Sequence, residues 1–248
     1  MVIFKYEMKN HRKYILAWAA ALAVCIFMMT PVYYSLLSAA GGSGSSLFET
    51  LGNSDFFQSV GLSMEYLTEP LGIYAFLTSF FILASGIFGM HFGISIHTKE
   101  FSGKTSEYLF TKPHTRKEIF RSKAAVVFTG VGIVGVSYIL ASFLALLLFR
   151  PGFDFGEFFL ISLSLLFVTL LFAAMGILLG VWFGNNRSPL LTAGLVIFTE
   201  YCITSFSRII GSRSMSFLSP FSYFTAAEIS RRGFYEWDYL VCYFVLLL

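Results

Sequence analysis

The chain has 248 residues, of which 56% are hydrophobic and only 12% charged, with a formal net charge of +3. Soluble domains carry roughly 25% charged residues, and a soluble fold of this length cannot hide so much apolar surface from water. A mean hydropathy of +0.74 therefore excludes an ordinary soluble enzyme and makes lipid part of the solvent, while basic residues clustered beside apolar runs argue against a nucleic-acid footprint.

Residues 1–13, MVIFKYEMKNHRK, place Val2, Ile3, Phe4 and Tyr6 against Lys5, Lys9, Arg12 and Lys13. This pattern predicts an interfacial helix on an anionic leaflet, with a disordered basic tail as the alternative. The first span is expected over 14–37, free of charges, with Trp18 and Tyr33–Tyr34 as interfacial aromatics and Pro31 in its last turns. Residues 38–69 then form a Gly/Ser-rich loop holding Glu49, Asp55, Glu65 and Glu69 and no Lys or Arg.

The second span is expected over 70–96, with Pro70 in its first turn. Gly89 and Gly93 make a small-xxx-small pair that permits close helix approach. His91 is the one ionisable side chain well inside this span, either a hydrogen-bonded core histidine or a transport residue. Spans follow over 124–149, 157–183 and 190–210. Gly176, Gly180 and Gly184 form two overlapping GxxxG units in the fourth. The fifth carries Glu200, with Arg208 eight residues later on about the same face. A membrane-embedded acid is costly and is expected to face the bundle or a wet cavity. A polar and aromatic loop with Ser219-Pro220-Phe221-Ser222-Tyr223-Phe224 at its heart precedes an apolar run over 239–248, read as the start of a sixth span. The whole chain, 1–248, reads as a single all-α transmembrane domain. Cys25, Cys202 and Cys242 all lie in apolar segments without metal-ligand spacing and read as small hydrophobes.

Between the second and third spans lies the longest polar run, 97–123, HTKEFSGKTSEYLFTKPHTRKEIFRSK, with seven of the seventeen Lys and Arg residues. It reads as two short helices around a break. The first runs from Lys99 to about Phe110, Pro113 interrupts, and Thr115-Arg116-Lys117-Glu118 matches a capping box that starts the second. The Gly103-Lys104-Thr105 within it is not a P-loop. The pattern needs glycine at position 98, which is Thr98, and a soluble strand before it. No HExxH, GxSxG or paired-cysteine motif is present, so active-site chemistry is not expected in this chain. The N-terminal lead-in, the 97–123 run and the 184–189 turn together hold twelve Lys and Arg residues against five on the other side, which predicts a cytosolic N-terminus.

Three stretches together resemble one family. The run Glu100…Gly103…Glu107-Tyr108-Leu109-Phe110-Thr111-Lys112-Pro113-His114-Thr115-Arg116 resembles the first cytosolic loop of type-2 ATP-binding-cassette (ABC) exporter permeases. The basic lead-in is similar to that family's interfacial helix, and Ser219–Phe224 to its Pro-Phe-x-Tyr-Phe loop. Lys104 stands between Gly103 and Thr105, which the family usually has adjacent. The resemblance implies a bundle of about six spans that pairs with a second permease chain, as a homo- or heterodimer. A separate ATPase subunit would hold ATP and Mg. No cofactor is expected on this chain itself, and the plasma membrane is its expected location. Within 97–123 the resemblance implies a coupling helix docked in that ATPase. Phe101, Tyr108, Leu109 and Phe110 would anchor it, Glu100, Glu107, Arg116 and Lys117 would set register, and Gly103, Pro113 and Thr115 would complete the docking set.

Two other function classes compete with export. One is a membrane anchor or sensor that recruits a cytosolic partner through the same loop without transport. The other is an ion-coupled secondary transporter using Glu200 and His91, although such proteins usually show more intramembrane polar residues and broken helices.

Overall fold

The computed structural model describes residues 2–43, 71–103, 115–149, 152–184, 186, 188–225, 229 and 233–247. Its helices are α1 (Val2–Ser43), α2 (Gly72–Ser102), α3 (Arg116–Phe149), α4 (Phe155–Trp182), α5 (Pro189–Ile210), a single turn α6 (Arg213–Ser216) and α7 (Trp237–Leu247). A 3-10 turn over Pro220–Ser222 lies between α6 and α7. There is no strand among the described residues. In lipid every backbone N–H and C=O must find a partner inside its own segment, and the helix is the single-segment solution. Helices α1 to α5 are each long and apolar enough to cross a membrane.

Two expected boundaries differ. The lead-in over 1–13 and the span over 14–37 form one unbroken helix, α1, with Pro31 inside it. No capping or breaking residue separates Lys13 from Tyr14, and the alanine-rich stretch beyond is strongly helix-forming. Likewise α2 does not stop at Ile96. It runs through His97, Thr98, Lys99, Glu100 and Phe101 to a C-cap at Gly103, so the expected separate helix beginning at Lys99 starts as the last turn of α2. At ~1.5 Å per residue these helices reach roughly 63 Å and 46 Å, well beyond a ~30 Å hydrocarbon core. Their ends project past it as continuous helix, which includes residues 38–43 of α1, expected as the start of a loop. The rest of that expected helix, and the Pro113 break, lie outside the described residues.

The helices alternate in direction. One end of the bundle gathers the start of α1, the end of α2, the start of α3, the end of α4 and the start of α5. Contacts between Glu7 and Lys99, Lys123 and Glu100, and Gly180 and His97 place them together. Helix α2 is the central member. Of its most apolar stretch 67% is buried, against 28% for α1 and 22% for α5, so these two outer helices turn most of their surface to the surroundings.

The closest packing is between α2 and α4. A Cβ on Gly93 would lie 2.6 Å from the Ala173 carbonyl oxygen, and one on Gly176 would lie 2.4 Å from that of Met90. Gly89 and Gly180 extend the seam in both directions. Because lipid gives helices no hydrophobic reason to associate, such backbone contact, and hydrogen bonds across it, hold the pair. Thr169 Oγ1 lies 2.8 Å from Ser85 Oγ, and Tyr74 Oη 2.6 Å from Ser162 Oγ. Gly184 lies outside the seam, and a Cβ there would meet the Phe101 ring at ordinary contact distance. A second pairing joins α1 to α3, and Gly130 admits the Ile15 side chain and the Phe92 ring.

The Ser219–Phe224 stretch, expected as a loop, is buried throughout. Phe221 packs on Phe172 of α4 at 4.8 Å between ring centroids, and Phe224 on Phe167 at 5.3 Å. Ser219 Oγ donates to the Glu200 carbonyl at 3.0 Å. The segment therefore folds back into the bundle and plugs the space between α4 and α5. Near its end, Tyr235 donates to the Leu160 carbonyl at 2.7 Å, and burial pushes its hydroxyl pKa up. Helix α7, with Tyr239 and Tyr243 buried, packs on this plug.

Candidate functional site

The site begins where α2 ends and α3 starts. The Gly103 N–H bonds the Lys99 carbonyl at 2.9 Å and closes α2. Across the 104–114 segment, the Thr115 hydroxyl accepts from the Glu118 N–H at 3.3 Å and opens α3. This is the Thr-x-x-Glu half-cap that the sequence pattern anticipates.

Four charged side chains converge beside this junction. Lys99 of α2 bonds Glu7 of α1, and Lys123 of α3 bonds Glu100 of α2. Lys123 also donates to the Ile96 carbonyl at 2.9 Å. Glu7 and Lys123 are buried, at 4% and 5% exposed. Two imidazoles flank the group. His11 Nε2 sits 3.7 Å from a Glu7 oxygen, and His97 Nδ1 lies 3.0 Å from the Gly93 carbonyl. Two acids and two lysines balance in charge, so the cluster satisfies itself where an isolated ion would be strongly disfavoured.

Around that inward core the outward faces are basic and aromatic. Lys5, Lys9, Arg12, Lys13, Arg116, Lys117 and Arg121 are exposed, as are Phe101 and Phe120. Of the residues expected to dock a partner, Phe101, Gly103, Thr115, Arg116 and Lys117 therefore flank the junction in the open. Glu100 does not, because its carboxylate is turned inward onto Lys123. Glu107, Tyr108, Leu109, Phe110 and Pro113 lie outside the described residues.

The intramembrane candidates are dispersed. His91 Nδ1 lies 2.7 Å from the Tyr14 hydroxyl, which ties α2 to α1 on the same side of the bundle as the charge cluster. The Glu200 backbone carbonyl accepts from Ser219 of the buried plug at 3.0 Å, and its side-chain Oε2 is buried without a hydrogen-bond partner among the described residues. Arg208 lines a cleft of about 40 Å³ with Ser79, Thr204, Phe221 and Thr225, room for little more than one or two waters. The structure does not bring His91 and Glu200 into a common site.

In the sequence, Glu7, Lys99 and Lys123 are legible only as charges in polar stretches. A finer signal exists for Glu7. With His11, Ile15, Ala19, Leu22 and Ile26 it continues the inward stripe of α1 at spacings of three and four. An acid on the core stripe of a helix requires a buried partner.

A family model described as "ABC-2 family transporter protein" matches residues 1–235. Neither the curated proteins nor the solved structures give a match. The family match covers nearly all of a multi-pass bundle with five span-length helices. The chain belongs to the ABC-2 transporter family and is a membrane-spanning permease component.

Proposed function

We propose that this permease couples ATP hydrolysis by a separate ATPase subunit to export of a substrate across the plasma membrane, with its N-terminus and 97–123 loop in the cytosol. The observation that carries the reading is the α2–α3 junction. Buried ion pairs fix its base while Phe101, Arg116 and Lys117 project on either side of the 104–114 segment. A surface of exposed aromatics ringed by charge suits a protein groove better than bulk water. The excess of Lys and Arg on this side supports its cytosolic placement. ATP and Mg belong to the partner, whose closure pushes the junction and shifts a helix bundle between two packings. A second permease chain, identical or related, completes the transporter. The largely outward faces of α1 and α5 leave room for it.

The test is co-purification of the tagged chain with ABC ATPases, with Glu107→Ala and Leu109→Ala combined as the probe. These two residues are assigned to the docking segment by family resemblance. The double variant is expected to insert and elute like the parent while losing at least tenfold in retained ATPase or in ATP-driven transport. Unchanged ATPase retention and transport would sink the docking assignment.

A further inference from the structure

We propose that Glu7, Lys99, Glu100 and Lys123 are positioning residues that make the start of α1 move as one body with the α2–α3 junction. This inference rests on the coupling function proposed above and adds the route by which displacement leaves the junction.

Lys99 and Glu100 are consecutive on α2, so their side chains diverge by ~100° around the helix axis. One reaches α1 and the other α3. The last turns of α2 are thereby gripped from two sides, within four residues of the point where the chain leaves the helix at Gly103. Lys123 adds a third grip, because its ammonium also holds the Ile96 carbonyl on α2. Helix α4 meets the same stretch of α2 differently. Its Gly180 faces the Cβ of His97 and the backbone of Ile94, and none of these contacts is ionic.

Charge at this place is not the simplest way to hold helices together. Well-packed apolar residues of similar volume hold equally well or better. What a buried pair adds is a directional bond between two named atoms that resists sliding of one helix along its neighbour. Such sliding is what a push on the end of α2 would otherwise produce between α2 and α1, because the close glycine contact of α1 is with α3, where Gly130 admits Ile15. A push on the hairpin is then delivered to α1, the helix with one of the largest outward faces in the bundle.

The experiment uses the full chain with its ATPase in lipid nanodiscs. Cys25, Cys202 and Cys242 are replaced by Ala, and single spin labels are placed at Tyr6→Cys on α1 or Arg121→Cys on α3, both exposed positions. In the parent, trapping with ATP and vanadate is expected to change the spectra of both labels. In Glu7→Gln and in Lys99→Gln, the response at position 121 is expected to persist while that at position 6 falls at least threefold. The charge swap Glu7→Lys with Lys99→Glu is expected to restore it, which a general packing defect would not allow. An undiminished response at position 6 in both single variants overturns the positioning role, as does failure of the swap to restore it. If the parent binds no ATPase or neither label responds, the coupling function fails and the positioning role fails with it.

Discussion

The α2–α4 seam and the charged junction at the end of α2 both bring helices together, by opposite means. Along the seam, glycines let backbone meet backbone, and a Cβ on Gly93 or Gly176 would stand within 2.6 Å of a carbonyl oxygen. At the junction, long side chains reach across wider gaps and the contact is made by ions. The seam tolerates no added atom and has one geometry. The junction depends on which partner each charge finds, and it offers a choice, because Lys99 Nζ also lies 3.9 Å from Glu100 Oε1. The seam is therefore held by shape and the junction by named ion pairs, with Glu100 in reach of both lysines.

The comparison breaks most severely at the seam. Gly176→Val inserts a branched side chain where even one carbon sits 2.4 Å from the Met90 carbonyl oxygen, and overpacking of this kind costs about 3 kcal/mol. Thermal unfolding in detergent is expected to show a larger drop for it than for any junction variant. A variant as stable as the parent would mean that α2 and α4 are not in backbone contact.

The junction responds differently. Lys123→Ala takes from Glu100 its closest partner and frees the Ile96 carbonyl, and removing one partner of a buried pair costs about 3 kcal/mol. Here the nearby Lys99 softens that loss. Removing both charges, as Lys123→Met with Glu100→Gln, is expected to recover most of it, because no ion of the pair is left behind. A double-mutant cycle on thermal stability checks it. If the double variant is as damaged as Lys123→Ala, the pair is not the determinant of stability there. No equivalent second substitution rescues the seam, and that asymmetry separates the two regions.

This contrast also marks what the sequence makes legible. The α4 and α5 spans are readable to within two residues, because hydropathy and helix-boundary signals coincide at Asp154 and Gly211. Asp154 accepts from the Gly156 and Glu157 N–H groups, and Gly211 has φ +69°. The seam is readable from the spacing of Gly89, Gly93, Gly176 and Gly180, though not which helices it joins. The junction is misread in its boundaries. Lys99 and Glu100 count as polar in any hydropathy window, so the window ends α2 early, whereas the capping pattern at Thr115 marks where α3 begins. Only their pairing across helices, which has no local signature, keeps them in the core. The Ser219–Phe224 stretch is legible as a turn but not as a buried one, for a related reason. Proline and serine signal a turn, but the burial of that turn is decided by Phe172 and Tyr201 on other helices.

The smallest expected effect sharpens the comparison from the other side. Gly132 of α3 and Gly194 of α5 have nothing within 4 Å of where a Cβ would sit. They share a residue type with the seam glycines but not an environment. Alanine at either removes the conformational entropy that glycine loses in a helix, worth about 0.5–1 kcal/mol where no contact opposes it. In the isolated chain, Gly132→Ala and Gly194→Ala are expected to unfold at the parent's temperature or slightly above it. A clear loss of stability at either position would mean that a neighbour approaches that helix face closely. That face would then join the seam and Gly130 as a place where this bundle depends on a bare backbone, and the contrast between a frame held by shape and a junction held by ions would have to include it.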